Sequence, residues 1–169
     1  CLVEYARKYI GTPYRRGSKG PNRFDCSGFM QYIFNHFSYS LNASSASQYL
    51  QGISVKDEEI CRGDLVFFKG RNSRRSNVGH VGLVTEVYPD GRFKFIHAST
   101  SQGIRDDWNF SPYYAQRYVG ARRIYFVQID KRLILDAILE LEDIDDNTPF
   151  TETEKSITPQ EFSTFVRAE

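Results

Sequence analysis

Apolar residues in the first third of the chain recur at the spacing of a helix. Residues 24–37 are the clearest case, with apolar side chains three and four positions apart: Cys26, Phe29, Met30, Ile33, Phe34 and Phe37. Asp25 stands directly before this stripe, where its carboxylate can accept from the free N–H groups of the first helical turn. Residues 2–10 predict an earlier helix, and residues 42–51 predict a short later one.

The pattern changes to that of strands further along the chain. Leu65–Phe68 is apolar on both faces, as in the central strand of a sheet. Residues 80–87 and 92–99 are rich in β-forming residues and are joined by Tyr-Pro-Asp-Gly, which predicts a hairpin. Residues 118–127 predict a last strand. Helices followed by a meander of strands indicate the α+β class, with N-terminal helices packed on one side of a central antiparallel sheet.

The C-terminal region differs in composition. Apolar residues at helical spacing in 131–142 predict an amphipathic helix packed on the body, followed by an acidic linker at 143–157 and a short helix opened by Thr158. We therefore divide the chain into a main domain, residues 1–130, and an acidic helical extension, residues 131–169. The extension is not expected to be an independent domain.

Charge is distributed unevenly along the chain. The net charge is +1, but residues 131–169 hold 4 Lys and Arg against 10 Asp and Glu, whereas residues 1–130 hold 18 against 11. This moderate positive excess of the body gives no reason to expect a nucleic-acid partner. No apolar run approaches the roughly 20 residues of a membrane-spanning helix, so no transmembrane segment is expected.

The three cysteines, Cys1, Cys26 and Cys61, are too few for a disulfide scaffold. Cys1 leaves two interpretations open: it is the acylated first residue of a mature lipoprotein, or the chain is a trimmed product. Cys61 lies at a turn and is expected to be structural or incidental.

Cys26 is the first candidate for chemistry because it lies in the first turn of a predicted helix. The helix dipole and the free N–H groups there favour a thiolate, which predicts a lowered thiol pKa. The alternative is a small buried residue of the core stripe. His80 and His97 favour the chemical interpretation, since a nucleophilic cysteine needs a base and the base needs an orienting partner.

The two histidines can meet only if the hairpin that joins them is irregular. With a plain two-residue turn, His97 would pair with Val84, about 13 Å along the strand from His80. A Pro-Asp-Gly turn with one bulge would place His97 on the wrong face. One further bulge makes Gly82 its partner, diagonal to His80. We therefore predict an irregular hairpin, in which Gly82 also leaves room for the cysteine.

A metal site is the competing use of the same residues. Cys26, His80 and His97 could supply three zinc ligands and leave one open position. The paired Cys-x-x-Cys or His-Glu-x-x-His spacing that would support zinc is missing, so no metal and no cofactor is expected. His36, the third histidine, lies off the apolar stripe and is expected on the surface.

Six segments of the chain are highly specific when taken together and in order. They are Ile10–Tyr14, Phe24–Phe29, Gly63–Phe68, His80–Val84, Phe95–Ser99 and Gly120–Ile124. In these segments the sequence resembles the NlpC-type family of bacterial cell-wall cysteine peptidases, which have a papain-like α+β fold. The resemblance covers about residues 5–125 and implies that residues 1–130 form a catalytic domain.

The resemblance implies a role for each site residue. Cys26 would be the nucleophile, His80 the general base and His97 the residue that orients the base. Tyr14 would donate a hydrogen bond to the oxyanion beside the Cys26 backbone N–H; its alternative is a packing aromatic after a turn. The positions that line the substrate site and recognise its free amine are matched by Asp25 and Ser27.

Similar enzymes cut the bond between D-glutamate and meso-diaminopimelate or lysine in peptidoglycan stem peptides. Peptidoglycan or a muropeptide is thus the implied substrate, and the cell envelope, periplasmic or extracellular, is the implied location. Three departures from the family pattern concern substrate preference: Arg15–Gly17 replaces Trp-Gly-Gly, Leu41–Ala43 replaces Leu-Pro-Arg, and the loop at 69–77 is longer and more basic.

Two other functions are compatible with the same residues. A thioester can be resolved by an amine or an alcohol, which would make the protein an acyltransferase, or an amidase of the same Cys-His-His chemistry. A non-catalytic peptidoglycan-binding module would keep the scaffold without the reaction.

Overall fold

An antiparallel sheet with the N-terminal helices on one face is the main feature of this computed structural model, which describes residues 1–126 and, beyond them, only Leu135, Ile138 and Leu139. Within residues 1–126 the helices are α1 (Leu2–Arg7), α2 (Cys26–His36), α3 (Ser45–Gln48) and α4 (Pro112–Ala115). The strands are β1 (Ile53–Val55), β2 (Leu65–Lys69), β3 (Val78–Val87), β4 (Phe93–Ser99), β5 (Gly103–Trp108) and β6 (Tyr118–Arg123), and a 3₁₀ turn covers Asp57–Glu59. The predicted α+β class is confirmed.

The strands lie in the order β1-β6-β2-β3-β4-β5, and every neighbouring pair is antiparallel. Strands β2, β3 and β4 form a meander as predicted, and β5 extends it beyond the prediction. Strand β6, expected as the last strand, pairs instead with β2 on its other side. The sheet therefore has its most apolar strand, β2, near the centre, where Leu65–Phe68 is fully buried. The predicted last strand is confirmed but ends at Arg123, earlier than expected.

Two apolar clusters cover the two faces of the sheet. On the helical face, the stripe of α2 packs on alternate residues of the strands: Phe29, Met30, Ile33 and Phe34 against Leu65, Phe67, Val81, Leu83 and Ile96. On the opposite face, Val66, Phe68, Val84 and Phe95 form a second cluster, against which Tyr114 of α4 packs. The helical stripe predicted in α2 is confirmed.

Both edge strands, β1 and β5, were not predicted from the sequence. Strand β1 is only three residues long, and β5 reads Gly-Ile-Arg-Asp-Asp-Trp, in which only the first two residues are buried. An edge strand with a solvated face carries little apolar alternation, so its sequence gives a weak signal.

The β3–β4 hairpin has the predicted irregularity. At the turn, the Tyr88 N–H donates to the carbonyl oxygen of Arg92 at 2.8 Å, which places these two residues opposite each other. The register then shifts at Thr85, because Val84 pairs with Phe95 whereas Glu86 pairs with Lys94. Leu83 pairs with Ile96, so counting one residue further places Gly82 opposite His97.

The C-terminal expectations lie largely outside the described residues. Leu135, Ile138 and Leu139 have helical backbone, as predicted for 131–142, while the packing of that helix, the linker at 143–157 and the last helix fall outside the described part. Residues 1–126 form one compact unit.

Candidate active site

Cys26 is the first residue of α2, and the start of this helix is held by Asp25. One carboxylate oxygen of Asp25 accepts from the Gly28 N–H at 2.6 Å, and the other accepts from the Gly17 N–H of the preceding loop at 2.9 Å. The predicted helix cap is confirmed. The loop lies so close to the helix that a Cβ on Gly28 would come within 2.3 Å of the Ser18 carbonyl oxygen. Cys26 therefore has a rigid support.

A cleft of about 400 Å³ opens where β2 ends and β3 begins. Its lining brings together three of the predicted site residues: Tyr14, Cys26 and His80. The thiol of Cys26 lies 4.0 Å from the carbonyl oxygen of Gly79, the residue that precedes His80. Gly79 is an extra residue in the β2–β3 ladder, since Phe68 pairs with His80 whereas Lys69 pairs with Val78. Bulges of this kind occur next to active sites, where they redirect side chains.

His97 lies behind His80 and is hydrogen-bonded to it. Nε2 of His80 is 2.8 Å from Nδ1 of His97, and Nε2 of His97 is 2.7 Å from a carboxylate oxygen of Asp107. The His97 side chain is fully buried, whereas His80 is partly exposed towards the cleft. Aromatic rings of Phe95 and Tyr114 pack against the pair. The convergence of the two predicted histidines is thus confirmed.

Asp107 was missed by the sequence reasoning because it lies on the unpredicted strand β5. It is one of two successive acidic residues ten positions after His97, and its other carboxylate oxygen binds Arg105 at 2.8 Å. A signal was present in the sequence: a buried histidine that orients a base itself needs a partner, and Asp106 and Asp107 are the nearest acidic residues that follow.

The resting site is electrically neutral at its reacting pair. Burial, and then the charge of Asp25, raise the pKa of the Cys26 thiol to about 11, although the N–H groups of Ser27, Val81 and Cys26 itself act in the opposite direction. Burial, and then the neighbouring His97, lower the pKa of His80 to about 3. The expected lowered thiol pKa is therefore wrong for the free site, because desolvation outweighs the helix N-terminus.

Tyr14 is placed to act as a hydrogen-bond donor in the cleft. Burial, followed by the nearby Cys26 and Asp25, raises the pKa of the Tyr14 phenol above its usual value, so the hydroxyl keeps its proton near neutral pH. Asp25 and Ser27 are not among the cleft-lining residues: the Asp25 carboxylate is bound to backbone N–H groups, and the side chain of Ser27 is buried. Their role in amine recognition stays a prediction.

The basic loop begins and ends at two glycines that cross closely. A Cβ on Gly79 would lie 2.7 Å from Cα of Gly70, so residue 79 could not carry a side chain without backbone movement, whereas a Cβ on Gly70 would meet nothing closer than 3.8 Å. Lys69 and Arg71 line the cleft beside this crossing. The cleft is therefore cationic on the side of residues 69–77.

Gly82 has a different function from the one expected. A Cβ at Gly82 would meet the Phe95 ring at 2.6 Å and Cβ of His97 at 3.4 Å, so the missing side chain makes room for the neighbouring strand and not for the cysteine. The reason is that Cys26 packs with the helical-face cluster, whereas Phe95 belongs to the opposite cluster.

Within the described residues, no group of three or more His, Cys, Asp or Glu side chains is arranged to hold a metal ion. Nε2 of His80 and Nδ1 of His97 face each other at hydrogen-bond distance, so they do not converge on a common external point. His36 is exposed and stacks on Tyr5, as predicted for a surface residue. Cys61 is exposed and lies outside the cleft lining. None of the helices in the described part is long and apolar enough to cross a bilayer.

A cysteine at a helix start beside a sheet that carries two hydrogen-bonded histidines is an arrangement typical of the cysteine hydrolases. Comparison with known proteins agrees with that class. The NlpC/P60 family profile matches residues 11–123, and the chain belongs to the NlpC/P60 family.

Three curated relatives illustrate the match. The chain is 36% identical over 125 residues to the probable endopeptidase NlpC homolog of Haemophilus influenzae, which covers 73% of this chain and 62% of that protein. It is 36% identical over 124 residues to the murein DD-endopeptidase MepS/murein LD-carboxypeptidase of Escherichia coli K12, covering 73% and 61%. It is 33% identical over 132 residues to the gamma-DL-glutamyl hydrolase of Bacillus subtilis, covering 77% and 30%.

Solved structures show the same relationship. An NlpC/P60 family protein from Bacillus cereus superposes with a TM-score of 0.64 at 28% identity, over 72% of this chain and 38% of that one. The expected family is confirmed, and the relatives are named endopeptidases and a hydrolase. The chain spans 30% to 62% of the length of the three curated relatives.

Proposed function

We propose that the protein is a cysteine peptidase that hydrolyses peptidoglycan stem peptides at the bond between γ-D-glutamate and the following diamino acid. The observation that supports this most directly is the joint position of Cys26 and His80 in one cleft, with His97 hydrogen-bonded to His80 from behind. Peptidoglycan as substrate places the protein in the cell envelope.

The first half of the reaction forms an acyl-enzyme. The sulfur of Cys26 attacks the amide carbon while its proton passes to the ring nitrogen of His80 that is not bonded to His97. The oxyanion of the tetrahedral intermediate receives hydrogen bonds from the Cys26 backbone N–H and the Tyr14 hydroxyl. The C–N bond then breaks, and His80 gives its proton to the leaving amine.

The second half returns the enzyme to its starting state. Water attacks the thioester carbon and gives a proton to His80, and the new tetrahedral intermediate expels the sulfur of Cys26. The thiol recovers its proton from His80, and the product leaves with a new carboxylate. The neutral thiol–imidazole pair of the free site is consistent with this sequence, because proton transfer accompanies the attack.

The γ-glutamyl assignment is supported by charge and by relationship. A γ-linked glutamate keeps a free α-carboxylate close to the scissile amide, and Lys69 and Arg71 give the cleft cations that can bind it. The Bacillus subtilis relative is named a gamma-DL-glutamyl hydrolase, whereas the Escherichia coli relative is named a DD-endopeptidase and LD-carboxypeptidase. The family thus includes more than one bond specificity, so the bond must be identified from the products.

The test compares Cys26→Ala with Cys61→Ala on a diaminopimelate-containing muropeptide, followed by mass spectrometry. Cys26→Ala should lower turnover by at least about 10³-fold, because the nucleophile is lost. Cys61→Ala should stay within about twofold, because Cys61 is exposed outside the cleft.

The wild-type product should carry diaminopimelate at a new amino terminus, and in ¹⁸O-labelled water the new glutamate carboxylate should contain one labelled oxygen. Undiminished turnover by Cys26→Ala would falsify the cysteine mechanism. A product without the label would identify transfer to another acceptor in place of hydrolysis.

A further inference from the structure

The hydrogen bonds of the histidine pair extend to a fourth residue, Asp107, on the edge strand β5. We propose that Asp107 is a positioning residue that sets the tautomers of both histidines and thereby leaves Nδ1 of His80 free to take the proton of Cys26. This inference rests on the proposed function, because it assigns His80 as the base.

The direction of each hydrogen bond follows from what Asp107 can do. A carboxylate only accepts, so Nε2 of His97, at 2.7 Å, carries the proton and donates it to Asp107. A neutral imidazole has one N–H, so Nδ1 of His97 is then an acceptor. At 2.8 Å from it, Nε2 of His80 must be the donor. Nδ1 of His80 is left as the unprotonated nitrogen, which is the form a general base requires.

The surroundings of His97 favour Asp107 over other hydrogen-bond partners of Nε2. Its side chain is fully buried, so water does not provide an alternative partner. The Tyr114 hydroxyl is also near Nε2, but at 3.4 Å it is at the limit of a hydrogen bond, compared with 2.7 Å for Asp107. Arg105 binds the second oxygen of Asp107 at 2.8 Å and so fixes the orientation of the carboxylate.

Asp107→Asn is the informative variant because it keeps the shape of the side chain and can reverse the direction of the hydrogen bonds through His97 and His80. An amide N–H in place of the carboxylate oxygen can donate to Nε2 of His97, which moves the His97 proton to Nδ1. Nε2 of His80 then becomes the acceptor and Nδ1 of His80 holds the proton, so it can no longer accept from Cys26. An analogous carboxylate-to-amide change in a serine protease triad lowers kcat by about 10⁴.

Asp107→Ala tests the loss of the carboxylate acceptor by itself. Alanine removes the acceptor without offering a donor, so the wrong tautomer is not enforced. We therefore expect kcat to fall more in Asp107→Asn than in Asp107→Ala, by at least about tenfold. A role confined to packing or to the Arg105 ion pair would give the opposite order, because asparagine is nearly isosteric with aspartate and alanine is not.

Asp106→Asn is the matched control on the same strand. Asp106 accepts from the Thr85 hydroxyl at 3.2 Å and lies 3.9 Å from Arg7, so it belongs to the helical side of the sheet and not to the histidine chain. Its kcat should remain within about twofold of wild type. Thermal unfolding of all variants identifies any loss of fold.

Nitrogen-15 NMR of labelled histidine gives a readout that needs no substrate. The chain has 3 histidines, and His36 is assigned by His36→Gln. The wild type and Asp106→Asn should show His80 and His97 with the proton on Nε2, and Asp107→Asn should show it on Nδ1. Unchanged tautomers in Asp107→Asn, or a kcat within twofold of wild type, overturn the inference. A wild type that cleaves no muropeptide but shows the expected tautomers refutes the proposed function and leaves the role of Asp107 standing.

Discussion

At the scale of single residues, Cys26 is subject to opposing effects that the sequence could not rank. The helix start and its N–H groups were visible in the sequence and favour the thiolate. The depth of burial and the proximity of Asp25 depend on tertiary packing, and together they raise the thiol pKa to about 11. His80 is changed in the complementary direction, to about 3. In the proposed reaction, the thiol is therefore activated by proton transfer during attack, and it does not exist beforehand as a thiolate–imidazolium pair.

The reactivity of Cys26 towards iodoacetamide should reflect this raised pKa. Only the thiolate reacts, and below its pKa the thiolate fraction rises tenfold per pH unit. The alkylation rate of the free protein should therefore increase about tenfold per unit from pH 6 to pH 10. The rate is measured by mass spectrometry of the peptide containing Cys26, because Cys1 and Cys61 are exposed and react as well. A plateau between pH 6 and pH 8 would contradict the neutral resting pair.

At the scale of elements, the β3–β4 hairpin was predictable in detail, whereas strand β5 was not. The turn residues and the requirement that two histidines meet were enough to predict the extra residue, which the structure places at Thr85. Strand β5 is an edge strand whose exposed charges hide its periodicity, and Asp107 was missed with it. The requirement that His80 and His97 meet was enough to predict the pairing of β3 with β4. The pairing of β5 with β4 is visible only in the folded protein.

Gly82→Ala tests how tightly this hairpin is packed. The new methyl group would lie 2.6 Å from the Phe95 ring and 3.2 Å from the Ile96 carbonyl oxygen, so the ring or the strand must shift. We expect the free energy of unfolding, measured with urea, to fall by about 1–3 kcal/mol. Gly70→Ala is the control, because its methyl group would meet nothing closer than 3.8 Å and should change stability by less than about 0.5 kcal/mol.

The double variant Gly82→Ala/Phe95→Leu separates strain from backbone effects. If the Phe95 ring is the obstacle, the two losses should be less than additive, since the smaller side chain relieves the overlap. Strict additivity would mean that the cost of Gly82→Ala has another origin.

At the scale of the whole molecule, the site joins parts of the chain that are far apart in sequence. The proposed nucleophile comes from the N-terminal helical part, the proposed base and its partner come from the centre of the sheet, and Asp107 comes from its edge. Order of elements and apolar pattern were enough to predict the class and the central strands. The protonation of the assembled site depends on burial and on neighbouring charged groups, which no single segment determines.

Burial of His80 should make stability depend on pH. Its pKa is about 3 in the folded protein and about 6.5 in an unfolded chain, so the unfolded state binds the extra proton first. The contribution of His80 to stability is complete above pH 6.5 and is lost as the pH falls towards 3, by up to about 1.4 kcal/mol per pH unit. His80→Gln should therefore reduce the slope of unfolding free energy against pH between 6 and 4.5, measured by urea titration. An unchanged slope would show that His80 is not the group responsible.

The close approach of Gly70 and Gly79 marks the boundary between the basic loop and the candidate active site. The two ends of residues 71–77 therefore lie close together, beside the carbonyl oxygen of Gly79 that is 4.0 Å from the sulfur of Cys26. We expect a loop whose ends are close together to tolerate changes in its length and charge. A change in the sequence of this loop would then alter which peptide is preferred, while Cys26, His80 and His97 stay the same.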